Sequence, residues 1–329
     1  MLNQRAEKLL MQYCISLAKA SGISNPARQF SLTEPMETRL RDAILHSDEF
    51  LKLITCLDVD QLKGQVIITG ASQLLTGRVK GGRFTKNLGV DGNTFELVET
   101  DSCAALDWNT LSVWGNSSGE NEFFKRMQSF IDKTFALDML RIGFNGISAS
   151  PTTDPSKNPN GEDVNIGWHQ IAKNWNGGLQ VMTTPIKLGA GGDYNTIDSM
   201  GSELVNALPV ESRDNPDIVI LVGSEILARE QYRLYDKADK PTEHAAAQQL
   251  GTFVAGKRAY VPPFMPGKRM VATTLSNLHI YTQRGSRRRA VEDVQDRKQF
   301  ENKYWRNEGY ALEAPELYAA FDESAVSFV

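Results

Sequence analysis

The sequence predicts an α+β protein built as two subdomains, and three observations lead there. A helical stripe of apolar residues runs through 119–143, alternating strand and helix patterns fill about 195–265, and strand-like sequence returns in the tail after a proline-rich exit, "YVPPFMPGK". At 329 residues, 41% of them hydrophobic, the chain exceeds one typical domain and supports one large or two moderate cores.

In residues 4–20 the apolar Leu9, Leu10, Tyr13, Leu17 and Ala20 recur at helical spacing, and Ser21 and Gly22 stop the run, so a short amphipathic helix is expected. "SNPARQFSLTEPME" follows as a proline-punctuated connector, and a second helical pattern passes through Leu40, Ile44, Phe50, Leu53 and Ile54. From Gly64 the β-branched runs flank a stretch rich in glycine and basic residues, which reads as a long two-stranded loop that needs something else to lie on.

The stripe of Phe123, Phe124, Met127, Phe130, Ile131, Phe135 and Ile142 predicts the longest helix. Ser117 and Ser118 are its expected caps, Glu120 and Glu122 suit its first turn, and Gly143 with Gly146 ends it. "SPTTDPSKNPNGED" is loop by composition. "LQVMTTPIKLG" and "PDIVILVG" read as strands, each followed by a helical pattern. "NLHIYTQ", "RRRAVEDV" and "YALEAPELYAAF" read as strands of the tail, with the charged "QDRKQFENKYWRNEG" between them.

Charge and motifs narrow the function. A net charge of −4 argues against a dedicated nucleic-acid binder, and no stretch has the unbroken apolar length of a membrane span or signal peptide. Cys14, Cys56 and Cys103 have neither disulfide-scaffold nor zinc spacing, so reduced thiols in a cytoplasmic protein are expected. His46, His169, His244 and His279 show no metal-ligand pattern, and no cofactor is implied. "KLGAGGDYNTID" places Gly189, Gly191 and Gly192 between a strand and a helix, but completes neither the dinucleotide fingerprint nor the P-loop. "GNSSG" matches a nucleophile elbow around Ser117 in letters only, since helix capping explains it. Arg284, Arg287, Arg288 and Arg289 cluster within strand-like sequence, where pairing with carboxylates across an interface is favoured over DNA.

Residues 137–170, "LDMLRIGFNGISASPTTDPSKNPNGEDVNIGWHQ", closely resemble the major capsid proteins of P2-like tailed phages. "FSLTEP", "LGAGGDYNTID", "NPDIVILVGSEILARE" and "LSNLHIYTQRGSRRRAVEDV" resemble further segments of that family in the same order, covering most of 28–310. The resemblance implies an HK97-type fold: an N-terminal arm at 1–60, an E-loop at 61–112, a peripheral domain with a spine helix at 113–195 and 266–329, and an axial domain at 196–265. It implies a non-enzymatic shell protein, assembled in the host cytoplasm into the virion as hexamers and pentamers around double-stranded DNA held by non-specific contact. Implied partners are a scaffold or protease, a portal and decoration proteins, with no membrane.

The same resemblance implies a maturation cut near Phe30 and Ser31, which would make residues 1–30 a scaffold-like propeptide. Basic loop residues Arg78, Lys80, Arg83 and Lys86 are expected on a neighbour's Glu120 and Glu122, with Arg287, Arg288 and Arg289 as further inter-subunit residues. Gly189, Gly191 and Gly192 become a hinge between peripheral and axial domains, with Asn195 or Thr196 as the helix cap. An encapsulin-like compartment is the alternative on the same fold, and a soluble α/β nucleotide-binding enzyme using the 189–192 loop is the alternative outside it.

Overall fold

Two units, each with its own sheet, divide the chain in the computed structural model, which describes residues 2–66, 77–80, 93–117, 119–237 and 252–329. Unit 1 comprises Met1–Leu62, Leu97–Gly167 and Ile280–Gly309, and unit 2 comprises Lys63–Glu96, Trp168–His279 and Tyr310–Val329.

In unit 1, helix α1 (Gln4–Ser21) starts at Asn3, whose side chain accepts the Ala6 N–H, and ends at Gly22. Helix α2 (Glu34–His46) buries Leu40 and Ile44. It stops short of Phe50, Leu53 and Ile54, which the periodicity had joined to it. The reason is local: the Asp48 carboxylate accepts the N–H groups of Phe50 and Leu51 and turns the chain.

Helix α3 (Trp108–Ser117) precedes the longest helix, α4 (Glu120–Asn145), whose 26 residues span roughly 39 Å. Its N-cap is Gly119, with no side-chain cap bond, so the expected serine caps are corrected: Ser117 is the last residue of α3. Ser118 lies outside the described residues. Gly146 takes the C-cap and Gly143 is buried inside the helix. Phe123, Met127, Ile131 and Phe135, four apart, form the buried stripe.

Helix α4 packs on a six-stranded sheet of β1 (Phe30–Ser31), β2 (Thr55–Val59), β5 (Val98–Asp107), β12 (Leu278–Gln283), β13 (Arg288–Val294) and β14 (Gln299–Leu312), in which Phe135 stacks on Tyr304 at 5.4 Å. The order is β1-β13-β14-β12-β2, with β5 also on β14. The first ten residues of β14 pair antiparallel with β5, from Gln299 opposite Asp107 to Glu308 opposite Val98. The charged segment read as a connector is therefore a central strand. Its charges are matched inside the sheet: Arg306 to Glu308 at 2.6 Å, Lys303 to Glu292 at 2.9 Å and Arg297 to Glu301 at 2.8 Å.

In unit 2, β3 (Lys63–Gln65) and β4 (Thr94–Glu96) pair antiparallel at the base of the expected loop. Residues 67–76 and 81–92 of that loop lie outside the described ones, while 98–112 belong to β5 and α3. The main sheet runs β6 (Val181–Met182), β15 (Ala319–Phe321), β11 (Met270–Thr274), β8 (Ile218–Val222), β10 (Lys257–Tyr260), β9 (Phe253–Val254). All five residues of β8 are buried, as a strand with neighbours on both edges and packing on its faces requires. Ile197, Met200 and Leu204 of helix α6 (Ile197–Ala207) close the core over Ile220, Met270 and Phe321. Helix α5 (Trp168–Asn174), helix α7 (Ser224–Lys237) and a parallel pair, β7 (Ile186–Leu188) with β16 (Val326–Phe328), complete the unit.

Candidate functional site

The glycine loop lies wholly within unit 2, between β7 and α6. Gly189 donates its N–H to Tyr194 O at 2.9 Å, Gly192 to Gly189 O at 3.0 Å, Gly191 to Asn195 Oδ1 at 3.3 Å, and Tyr194 to Lys187 O at 3.1 Å. These donors are spent inside the loop, so they do not form a phosphate cradle. Leu188 and Ile197, on either side, belong to one apolar cluster, against which Tyr194 packs. The loop is thus a closed turn whose two flanks pack into one core. Thr196, of the two cap candidates, forms a capping box with Ser199.

Gly191 has φ +80° with open space around it, and a Cβ on Gly192 would lie 2.4 Å from Lys187 O. Gly191→Val is expected to cost about 1–3 kcal/mol through backbone strain alone, and Gly192→Ala about 1–3 kcal/mol through displacement of the Lys187 carbonyl. Urea midpoints of the two variants check this, and Ala190→Ser on the same loop should leave the midpoint unchanged.

A buried polar network sits elsewhere in unit 2. His169 on α5 donates from Nε2 to Asp322 Oδ2 at 3.2 Å and accepts at Nδ1 from the Tyr318 hydroxyl at 3.1 Å. Lys173 pairs with Asp322, and Arg269 pairs with Glu323 at 2.8 Å. Both ring nitrogens are engaged within the network. His169, Asp322 and Glu323 bring ligand-type atoms within 4.8 Å, but the two cations already neutralise the carboxylates. The network is therefore a clamp between α5 and the C-terminal segment.

Burial lowers the His169 pKa to about 4, whereas the hydrogen bond from His169 holds Asp322 well below the usual carboxylate range. The unfolded chain protonates this histidine near 6.5 while the folded chain resists, so its contribution is full above that pH and is lost on acidification toward about 4, on the order of 3 kcal/mol. Asp132, raised by burial to about 6, acts in the same window with the opposite sign. The difference in urea stability between wild type and His169→Gln, measured from pH 7.5 to 4.5, isolates the histidine.

The other histidines are dispersed: His46 is exposed, His279 is buried 3.8 Å from Glu313, and His244 lies outside the described residues. Burial raises the Cys14 and Cys56 thiols to about 11 and about 12, so neither is poised as a nucleophile. Ser117 ends a helix, where a nucleophile elbow would need a strand-to-helix turn.

The arginine cluster is divided between inside and outside. Arg287 is buried with Asp58 at 2.5 Å and Glu37 at 3.6 Å, and Arg289 is buried with Asn302 at 2.8 Å. These two expected interface residues thus have their partners within unit 1: Arg287, just before β13, and Arg289, on it, are buried, and Arg288 is exposed between them. Arg288 and Arg284 help line a polar cleft of about 390 Å³ with Gln29, Glu99 and Trp305. Sequence reasoning missed this cleft, whose lining comes from four separate parts of unit 1.

Phe30 and Ser31 form edge strand β1, paired with Arg289 and Arg288. Phe30 is buried and Ser31 exposed. Arg78 and Lys80 are exposed, as are Glu120 and Glu122, the latter paired with Arg126 at 2.5 Å. Arg83 and Lys86 lie outside the described residues.

Comparison with known proteins covers nearly all of the chain. The family model for the phage major capsid protein, P2 family, matches residues 9–324. The protein of Escherichia phage P2 named "Capsid proteins" is 28% identical over 329 residues, covering 92% of this chain and 89% of that one. The major capsid protein of Serratia phage KSP20 is 24% identical over 311 residues, covering 87% of each. A chain of the satellite phage P4 procapsid that includes the size determination protein superposes with a TM-score of 0.78 at 23% identity, covering 99% of both chains.

Proposed function

Because this chain belongs to the P2 family of phage major capsid proteins and has the HK97-type α+β fold, we propose that its copies associate as hexamers and pentamers and close around double-stranded DNA. The single observation that carries the reading is the family match across residues 9–324, which spans both units. A major capsid protein is the repeating subunit of the virion's shell, and repeated head-to-tail contacts close when the rotation between neighbours closes. It works by binding rather than catalysis. Assembly takes place in the host cytoplasm, with a scaffold or protease, a portal and decoration proteins as partners. With a net charge of −4, contact with the packaged DNA is confined to local basic groups, and it is non-specific and salt-sensitive.

In this reading 1–60 is the arm, 61–112 the E-loop, 113–195 with 266–329 the peripheral domain, and 196–265 the axial domain. The exposed Arg78 and Lys80 lie on Glu120 and Glu122 of a neighbouring copy. Residues 1–30 are removed from the covalent chain by a cut between Phe30 and Ser31.

Arg78→Glu with Lys80→Glu is expected to leave folding intact, since both residues are exposed, and to reduce the assembled fraction in a sedimentation assay by about tenfold or more. Adding Glu120→Lys and Glu122→Lys should recover assembly. Sedimentation of the first variant identical to wild type, or no recovery by the second pair, would exclude this contact.

A further inference from the structure

We infer that residues 1–30 stay seated on unit 1 as a separate peptide after the chain is cut, with the new Phe30 carboxylate held at Arg288. The inference rests on the cut proposed above.

The anchors of this segment are distributed along it, and none needs the 30–31 bond. Asn3 receives the Ser112 chain through two hydrogen bonds, donating its N–H to Ser112 Oγ at 3.1 Å and its Nδ2 to Ser112 O at 3.2 Å. Ala6 is fully buried, and a Cβ on Gly115 of α3 would lie 3.0 Å from its methyl, which is close helix-to-helix packing. Leu9, Leu10 and Tyr13 are buried in one cluster with Leu111, Phe123 and Phe300. The Tyr13 ring meets Phe124 at 5.7 Å and Phe300 at 6.2 Å, and its hydroxyl donates to Gln128 at 3.3 Å. Further along, Val291 donates its N–H to Pro26 O at 2.8 Å, and Phe30 is buried opposite Arg289. An amphipathic helix docked by its apolar anchors in a fitted groove is a recognised binding mode, and here the ligand is already in place.

Hydrolysis consumes one water and breaks the Phe30–Ser31 amide, leaving a carboxylate on Phe30 and an ammonium on Ser31. The chain beyond the cut is held independently, since Leu32 donates its N–H to Arg287 O at 3.2 Å. The polar cleft adjoins this bond: Gln29 precedes it in the chain, and Arg288 is the strand partner of Ser31. Among the described residues Arg288 makes no ion pair, so a cation stands ready for the carboxylate, and Glu99 in the same cleft is the acid available to the ammonium. The cut adds charges of both signs where groups of both opposite signs already lie.

Matured particles carrying the full chain provide the test. Denaturing intact-mass measurement reports the cut, and size exclusion of capsomers released without denaturant reports whether the peptide travels with them. The expected result is a cut chain with an equimolar 1–30 peptide, its retention falling roughly tenfold or more in Leu10→Ala with Tyr13→Ala. Arg288→Gln, a surface change that spares the core, should raise peptide loss severalfold at low salt. An uncut chain would overturn the cleavage reading and this inference with it. A cut chain whose capsomers lack the peptide would overturn the inference alone, as would retention unchanged in both variants.

Discussion

Glu308→Ala is expected to destabilise the folded subunit by about 3–5 kcal/mol, the cost of removing the bidentate partner of a buried charge. Arg306 and Glu308 lie two apart on β14, on the same face, each 1% exposed. Arg306 donates from Nε to Glu308 Oε2 at 2.6 Å and from Nη2 to Oε1 at 3.1 Å, a bidentate arrangement that fixes both groups. Its third nitrogen donates to Ser102 Oγ at 2.9 Å, and its guanidinium sits 4.9 Å over the Tyr304 ring. Removal of the carboxylate takes the bidentate acceptor from a buried guanidinium. Arg306→Met with Glu308→Leu should recover most of the loss, because neither charge then remains to be desolvated. Urea unfolding of the two single variants and the double closes the cycle. A double variant as unstable as the sum of the singles would contradict the account.

The second large effect is expected at Phe123, where truncation to alanine should cost about 3–5 kcal/mol by transfer and cavity formation. Phe123 is fully buried in the first turn of α4 and belongs to the cluster that receives Leu9, Leu10 and Tyr13 from α1. Its loss therefore loosens α1 as well as α4. Amide exchange across 4–21 should accelerate more than exchange across α6, whose core in unit 2 is unaffected. Phe130→Ala on the same helix should cost only about 1 kcal/mol, since that ring is 39% exposed and meets only the edge of Trp114 among the described aromatic rings.

What was legible in the sequence was what repeats locally. The apolar residues of α1 and the four-residue stripe of α4 announced their helices, and the continuous apolar run of β8 announced a buried strand. β14 was illegible because its polar and charged residues obscure strand alternation until their partners are known, and those partners lie on β13 and β5. Arg287 was read as an interface residue for the same reason: its counter-charges, Asp58 and Glu37, are more than 200 positions away in sequence. The His169 clamp depends on Asp322, 153 positions on, and no local spacing signals it. The glycine loop was legible as a turn, while its attachment to a single unit depends on the core beneath it. The family-scale pattern over 28–310 carried information that no short motif held, because assembly surfaces have no fixed chemical signature comparable to a catalytic motif.

Electron microscopy of the full-length protein after expression with its phage assembly partners tests the central claim most directly. Closed hollow particles of uniform size, built from rings of six and five copies, are the expected result. A population of small discrete oligomers that never closes under those conditions would contradict it.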